Sequence, residues 1–417
     1  MNDTYRLFGG CELAGDTVSG DFTMMTRRGW SSQDLVGRVL AGKVLSAFVL
    51  ATLSAAGVAW SGQAFGQAAG RLVAPNGKTM SGTILGTSPT DVEIEDENGD
   101  LKRVPLDKIA EVQFSDEPPK LASARSFLAR GRPGDALGEL ESVLESELEG
   151  IPAIVLSEME FAKAAAAGQL AVESGDGIPV AEAAVAGFLS KHPRSHHFFE
   201  MQQLLGDLRL KAGNYAAAMQ AFDTLSKGPS AFKIQASSGK GQILVKQDKF
   251  ADAVREYDAA LAIAASDDAS LARKREAALG KAQALSRLGR HDDALALAKA
   301  TINEADPEDR RLLSRAYATL GGLYRATGGK DQDALIAYLT VDLVYNSAPE
   351  SHAEALYYLS QLWGKAREDE RARQSGQMLR DAYPQSGWAK SSPPVENPPD
   401  GCRLHCKLMS AHHTLDT

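Results

Sequence analysis

Along this chain the apolar positions change period once. Between residues 121 and 388 they recur three to four places apart in runs broken by short polar turns, the spacing of helices that bury one face. Between residues 70 and 116 they alternate singly, as in Val92/Ile94 and Val112/Phe114, which predicts short β-strands. Two Asn-Gly pairs, Asn76-Gly77 and Asn98-Gly99, predict hairpins whose two central residues both have positive φ. Four to five short strands in so small a unit are expected to close on themselves as a small barrel. The stretch Ser115–Lys120, "SDEPPK", ends the unit, because a Pro-Pro pair neither continues a strand nor readily begins a helix. Ahead of it, residues 44–60, "VLSAFVLATLSAAGVAW", carry no charge.

Within the helical region a single phrase recurs: a turn, an aromatic or polar residue, an alanine, then a bulky residue four places on. Its alanines are Ala136, Ala181, Ala218, Ala253, Ala294, Ala334 and Ala372, spaced by 45, 37, 35, 41, 40 and 38 residues. A period of this size marks stacked helix–turn–helix units, none of which buries its apolar stripe alone. The clearest copies are "LLGDLRLKAGNYAAAMQAFDTL" and "GKGQILVKQDKFADAVREYDAAL". In them Leu205, Gly206, Tyr215, Ala218, Phe222, Gly241, Phe250, Ala253 and Tyr257 supply large, small and turn positions, continued downstream by Leu320, Gly321 and Tyr324. A large residue of one helix fills the space left by a small one on its neighbour. Two departures stand out: Arg209 replaces an aromatic, and Ala298 replaces the bulky residue of its copy.

These copies resemble the tetratricopeptide repeat over about residues 121–388. The resemblance implies a mainly α fold, an α-solenoid of five to seven repeats, that binds protein partners and has no catalytic role. "FLSKHPRSHHFFE" and "LRDAYPQSGWAK" further resemble repeat variants of bacterial envelope proteins associated with the Tol–Pal system and outer-membrane assembly. There Ser195 and Ser386 are placed to cap the following helices. The β-unit, through "NGKTMSGTI" and "VPLDKIAEVQF", resembles the small SH3-like or Sm-like barrels that follow signal peptides.

Composition narrows the function classes. Residues 1–66 are charge-balanced, so the formal charge of -9 lies on the rest. An acidic body lacks the positive footprint that nucleic acid requires. In the β-unit the bases Arg71, Lys78, Lys102, Arg103 and Lys108 are outnumbered by acids, and Phe114 is the single aromatic, so no stacking platform for RNA exists. The segment thus reads as a spacer or protein-docking module. The uncharged run 44–60 follows Arg27, Arg28, Arg38 and Lys43 and precedes "SGQAFGQAAG". Basic flank, apolar centre and small-residue exit predict an export signal cut near Gly66–Gln67, with an uncleaved membrane anchor as the rival. Residues 1–66 are therefore assigned to targeting, 70–116 to the β-unit, 121–388 to the solenoid and 389–417 to a tail.

Candidate chemistry is thin. His192, His196 and His197 have only Glu200 beside them in sequence, so they read as a polar turn between repeats rather than a metal site. Cys402, His405, Cys406, His412 and His413 follow a Pro-rich linker. Their spacing matches no zinc motif, so they read as a free tail. The acidic run Glu139–Glu149 reads as a solvated helix face, and Ser237–Gln242 lacks the leading glycine of a phosphate loop. No cofactor or metal is expected. At inner positions of the repeats stand Gln203, Asp207, Ser238, Gln242 and Gln283. Without the Lys, Asn and Arg of the repeat family's carboxylate clamp, such a groove is expected to take a neutral or basic extended peptide. The functional expectation is a non-catalytic binding scaffold of the cell envelope. The alternatives are an accessory factor of cell-wall or outer-membrane machinery, docked through the β-unit, and a self-assembling scaffold.

Overall fold

The computed structural model describes residues 67–392. The apolar run 44–60 and the Cys402–His413 tail lie outside the described residues. Five strands come first: β1 (Ala68–Val73), β2 (Thr79–Thr87), β3 (Asp91–Asp96), β4 (Leu101–Pro105) and β5 (Glu111–Phe114). They form one antiparallel sheet in the order β4-β3-β2-β1-β5. No ladder joins β4 to β5, so the expected closure into a barrel is replaced by an open sheet with two edges. The alternation places Leu72, Ile84, Val92, Ile94, Val112 and Phe114 on the buried face.

The two hairpin turns differ from expectation. Gly77 and Gly99 have φ of 78° and 81°, but neither Asn76 nor Asn98 is left-handed. The amide of Gly77 donates to the Ala74 carbonyl (2.9 Å) and that of Gly99 to Asp96 (2.9 Å), so each turn is centred one residue earlier, on Pro75-Asn76 and Glu97-Asn98. A turn followed by a left-handed glycine is the longer hairpin loop, and proline's fixed φ suits its first central position.

Seven helical hairpins follow among the described residues. They are α1/α2 (Pro119–Ala129, Pro133–Glu141), α3/α4 (Ala153–Ser174, Ile178–Lys191), α5/α6 (Phe198–Lys211, Tyr215–Leu225) and α7/α8 (Ser230–Lys246, Phe250–Ala262). Then come α9/α10 (Asp268–Arg287, His291–Glu304), α11/α12 (Arg310–Thr327, Asp331–Leu343) and α13/α14 (Pro349–Lys365, Asp369–Ala382), with α15 (Gly387–Ser391) behind them. The odd helices from α3 to α13 touch the next odd helix as well as their own partners, forming an inner row, and the even helices pack on its back. The acidic run Glu139–Glu149 is not one helix face. α2 stops at Glu141, and a separate 3₁₀ turn covers Glu145–Leu148. The Ser142 hydroxyl donates to the Glu139 carbonyl and the Lys120 ammonium to that of Ser142, capturing groups that would continue the helix.

All seven ladder alanines lie on even helices. Ala136, Ala218, Ala253, Ala294 and Ala334 have no exposed surface and Ala181 is buried, whereas Ala372 in the last hairpin is only half-buried. The glycines show why. A Cβ on Gly206 of α5 would lie 2.7 Å from the Phe222 ring, and one on Gly239 of α7 would lie 2.4 Å from the same ring. Tyr257 is held in the same way between Gly241 and Gly280, at 2.9 and 2.6 Å, and Tyr338 lies 2.8 Å from a Cβ on Gly321. Each aromatic knob of an even helix thus enters a slot opened by glycines on the inner row. In the copy where the knob is Ala298, the corresponding positions are Ala282 and Thr319, both buried. Loss of the large side chain is matched by loss of the slot.

The sheet belongs to the solenoid's core. Its buried face forms one apolar cluster with Leu121 and Ala124 of α1, Leu140 of α2, and residues of α3 to α6. The Thr87 hydroxyl donates to the Arg194 carbonyl between α4 and α5 at 3.3 Å. The sheet therefore covers the start of the array, where a repeat would otherwise expose its apolar flank. Among the described residues no helix is long and apolar enough to cross a membrane.

Candidate functional site

The inner row brings polar groups from separate repeats into one surface. Arg273 of α9 donates from Nη1 to the Gln203 amide oxygen of α5 at 2.9 Å. Its guanidinium also lies 4.9 Å from the centre of the Phe232 ring of α7, a cation–π distance. A bond from α9 to α5 skips the helix between them, so this surface is concave. Arg315 of α11 pairs with Glu276 of α9 at 2.7 Å. Gln283 donates to the Thr319 hydroxyl at 3.1 Å.

Asp207 faces the same groove. Burial raises its carboxyl to about 7, against the opposing pull of the Gln203 amide and the charges of Arg273 and Arg315. Burial also raises Glu276 despite Arg315 and Arg311, and lowers Arg273 against its acidic neighbours Glu200, Asp207 and Asp267. The groove therefore holds charges in an environment that penalises charge, and a ligand that pairs them would relieve the penalty.

Of the five inner residues chosen from sequence, Gln203, Asp207 and Gln283 take part in this surface and Gln242 is half-buried. Ser238 does not line it: the residue is buried and its hydroxyl has no partner, because its position faces the packed side of α7 beside Gly239. To a groove whose expected occupant is a neutral or basic extended peptide, Arg273, Arg311 and Arg315 add cations beside Asp207 and Glu276. These arginines lie toward the N-terminal ends of α9 and α11, upstream of the turn-centred phrase that defines the repeats in sequence. The signal that could have found Arg311 and Arg315 is their spacing of four on an inner helix, whereas Arg273 carries no such mark.

A second polar cluster lies where the sheet's exit meets the first hairpins. Glu158 of α3 sits 3.0 Å from His197 Nε2 and 3.9 Å from His196 Nδ1. Arg125 of α1 lies 3.6 Å from Glu158 and 2.6 Å from Glu117. His197 Nδ1 is 3.2 Å from Glu200, and its ring stacks on Phe161 with centroids 3.4 Å apart. Burial alone would raise Glu158, but the charge on His197, with smaller contributions from His196 and Arg125, brings it down to about 2. Burial would lower His197, yet Glu158 and then Glu200 raise it to about 9. His196, burdened by burial and by the charge on His197, falls to about 3. Sequence spacing offers these histidines Glu200 as their only carboxylate, and Glu158, from the preceding hairpin, lies beyond its reach. The turn is tied to α3 again by His192 at 2.8 Å from Glu160, and Ser195 accepts from the His197 amide at 3.1 Å. Ser386 caps α15 by accepting from the Ala389 amide.

Comparison with known proteins places the repeats. The tetratricopeptide repeat family model matches residues 165–232 and 238–310. No curated protein matches the chain. Solved structures of similar fold include a tetratricopeptide repeat protein from Parabacteroides merdae, 17% identical, covering 65% of this chain and 96% of its own, with a TM-score of 0.43. A Rap protein complexed with Competence and Sporulation Factor is 14% identical, covering 64% and 76%, with a TM-score of 0.46. PilW, a type IV pilus biogenesis factor, is 17% identical, covering 57% and 97%, with a TM-score of 0.39. The helical hairpins stacked through recurring glycine slots thus include two consecutive stretches, residues 165–232 and 238–310, that match the tetratricopeptide repeat.

Proposed function

We propose that the chain is a non-catalytic scaffold of the bacterial cell envelope that holds an extended segment of a partner protein along its concave inner row. The observation that supports this is the contact from Arg273 to Gln203 across an intervening helix, which joins side chains of several repeats into one surface of mixed charge. A segment carrying both an acidic and a basic side chain suits it, one for Arg273 and Arg315, the other for Asp207 and Glu276. Export is supported by the basic flank, the uncharged run 44–60 and the small-residue exit. The common core of sheet and first hairpins favours one continuous scaffold over a separately tethered catalyst-docking module.

The test is photo-crosslinking in the native cell from Gln242 and Gln283 on the inner row and from Gln220 and Ala259 on the even helices. One partner captured from the inner positions and not from the outer ones is expected, with capture lost in an Arg273→Glu/Arg315→Glu variant. Equal capture from both faces rejects the groove. The mass of the chain in the envelope fraction tests export separately: a product beginning near Gln67 is expected, and a full-length cytoplasmic chain rejects that element alone.

A further inference from the structure

We propose that Glu158, His196 and His197 form a binding site for one divalent transition-metal ion of the zinc class, which clamps the second and third hairpins, α3/α4 and α5/α6, together. Their donor atoms all lie within 4.8 Å of one another. His197 Nε2 stands 3.0 Å from one oxygen of the carboxylate and His196 Nδ1 3.9 Å from the other, each within about half an ångström of the roughly 3.4 Å between ligands around a tetrahedral zinc with bonds of about 2.0–2.1 Å. Two imidazoles and one carboxylate are a donor set suited to zinc and its neighbours in the first transition row.

Three further features point to an ion rather than to a packed turn. His196 Nδ1 is buried, with its side chain 8% exposed, and has no hydrogen-bond partner; it is directed at the carboxylate. His197 already has the outer partner that metal-bound histidines keep, Glu200 on the opposite ring nitrogen, and stacking on Phe161 fixes the ring plane. With both imidazoles deprotonated, as ligation requires, Glu117 and Glu158 set two negative charges against the one guanidinium of Arg125 that contacts them. A divalent cation entering there meets net negative charge. The ligands come from α3 and from the turn entering α5, and Glu117 and Arg125 connect them to the sheet's exit, so an ion here would fix the sheet and the first hairpins against one another.

The test uses the full chain, stripped with a chelator and titrated with Zn²⁺ and Co²⁺ in equilibrium dialysis. The comparison variants are His196→Gln, which removes the unpartnered nitrogen, Glu200→Gln, and Cys402→Ser/Cys406→Ser, which removes the tail thiols. One equivalent should be lost in His196→Gln and retained in the cysteine variant, with Co²⁺ giving visible bands but no thiolate charge-transfer absorption. Glu200→Gln should weaken affinity by about 10–100-fold. Metal should raise the melting midpoint of the unsubstituted chain and of the cysteine variant by equal amounts. If the chain takes up no metal, if uptake is the same in His196→Gln and Glu200→Gln as in the unsubstituted chain, or if it disappears with the cysteines, the site is overturned.

Discussion

Phe222 carries the packing logic of the repeats in a single side chain. Its ring lies between Gly206 and Gly239, on two different helices, at distances that no Cβ could occupy without displacement. Alanine at Gly239 would gain about 1 kcal/mol of helix propensity, but overpacking a full core costs roughly 1–3 kcal/mol. Because the added atom would sit 2.4 Å from the ring, overpacking should win. Gly239→Ala is therefore expected to lower stability, and Phe222→Leu in the same chain should remove most of that loss, a coupling measurable by denaturation of both single variants and the double variant. A Gly239→Ala protein as stable as the parent would show that the ring does not need the slot. The pair Ala298 and Thr319 shows the same rule with small residues on both sides.

Among the helices, the hairpin turns decide where each element stops. α5 ends at Lys211, Gly213 takes a left-handed φ of 76°, and Asn214 caps α6 by accepting from the Ala217 amide at 3.3 Å. Asp248 and Arg367 adopt the same conformation without being glycine, so turn position rather than residue type is what the repeats share. The turn entering α5 is held differently, by the ion pair of His197 with Glu158. A histidine whose folded pKa lies near 9, above its unfolded value of about 6.5, contributes stability that is complete below pH ~6.5 and is lost as pH rises through ~9. In metal-free protein, unfolding free energy should decline across that window. His197→Gln should flatten the decline, and an unchanged slope in that variant would show that other groups cause it.

Across the molecule, the curvature of the inner row brings α5, α9 and α11 within reach of one another and gathers charge in a groove. Asp207 is the clearest consequence. Its carboxyl, raised to about 7, disfavours the folded state once it ionises, so this penalty is absent below the unfolded value of about 3.9 and grows as pH rises through ~7. Asp207→Asn is expected to match the parent near pH ~4 and to be more stable near pH ~8, as chemical denaturation at the two values would reveal. If the variant is less stable at both, Asp207 is an integral hydrogen-bonding partner rather than a strained groove acid. The sheet has a molecular role too. By sharing its core with α1 and its neighbours it closes one end of an array whose units cannot cover their own flanks.

The alanine ladder, the glycine slots and the sheet-to-helix change of period are legible in the sequence. Each arises from packing that repeats, and a repeated local requirement leaves a repeated residue. The turn centres at Pro75 and Glu97 are not, because Asn-Gly marks where a left-handed residue stands, while the hydrogen-bond register of the flanking strands decides which pair is central. Glu158 beside His196 and His197, and Arg273 reaching Gln203, leave no sequence signal, since each joins residues from different repeats and occurs once. The repeating architecture is therefore a property of the residue order alone, because local spacing dictates which faces must be buried. The groove and the buried histidine cluster exist only in the folded chain, because superhelical curvature sets which distant side chains meet.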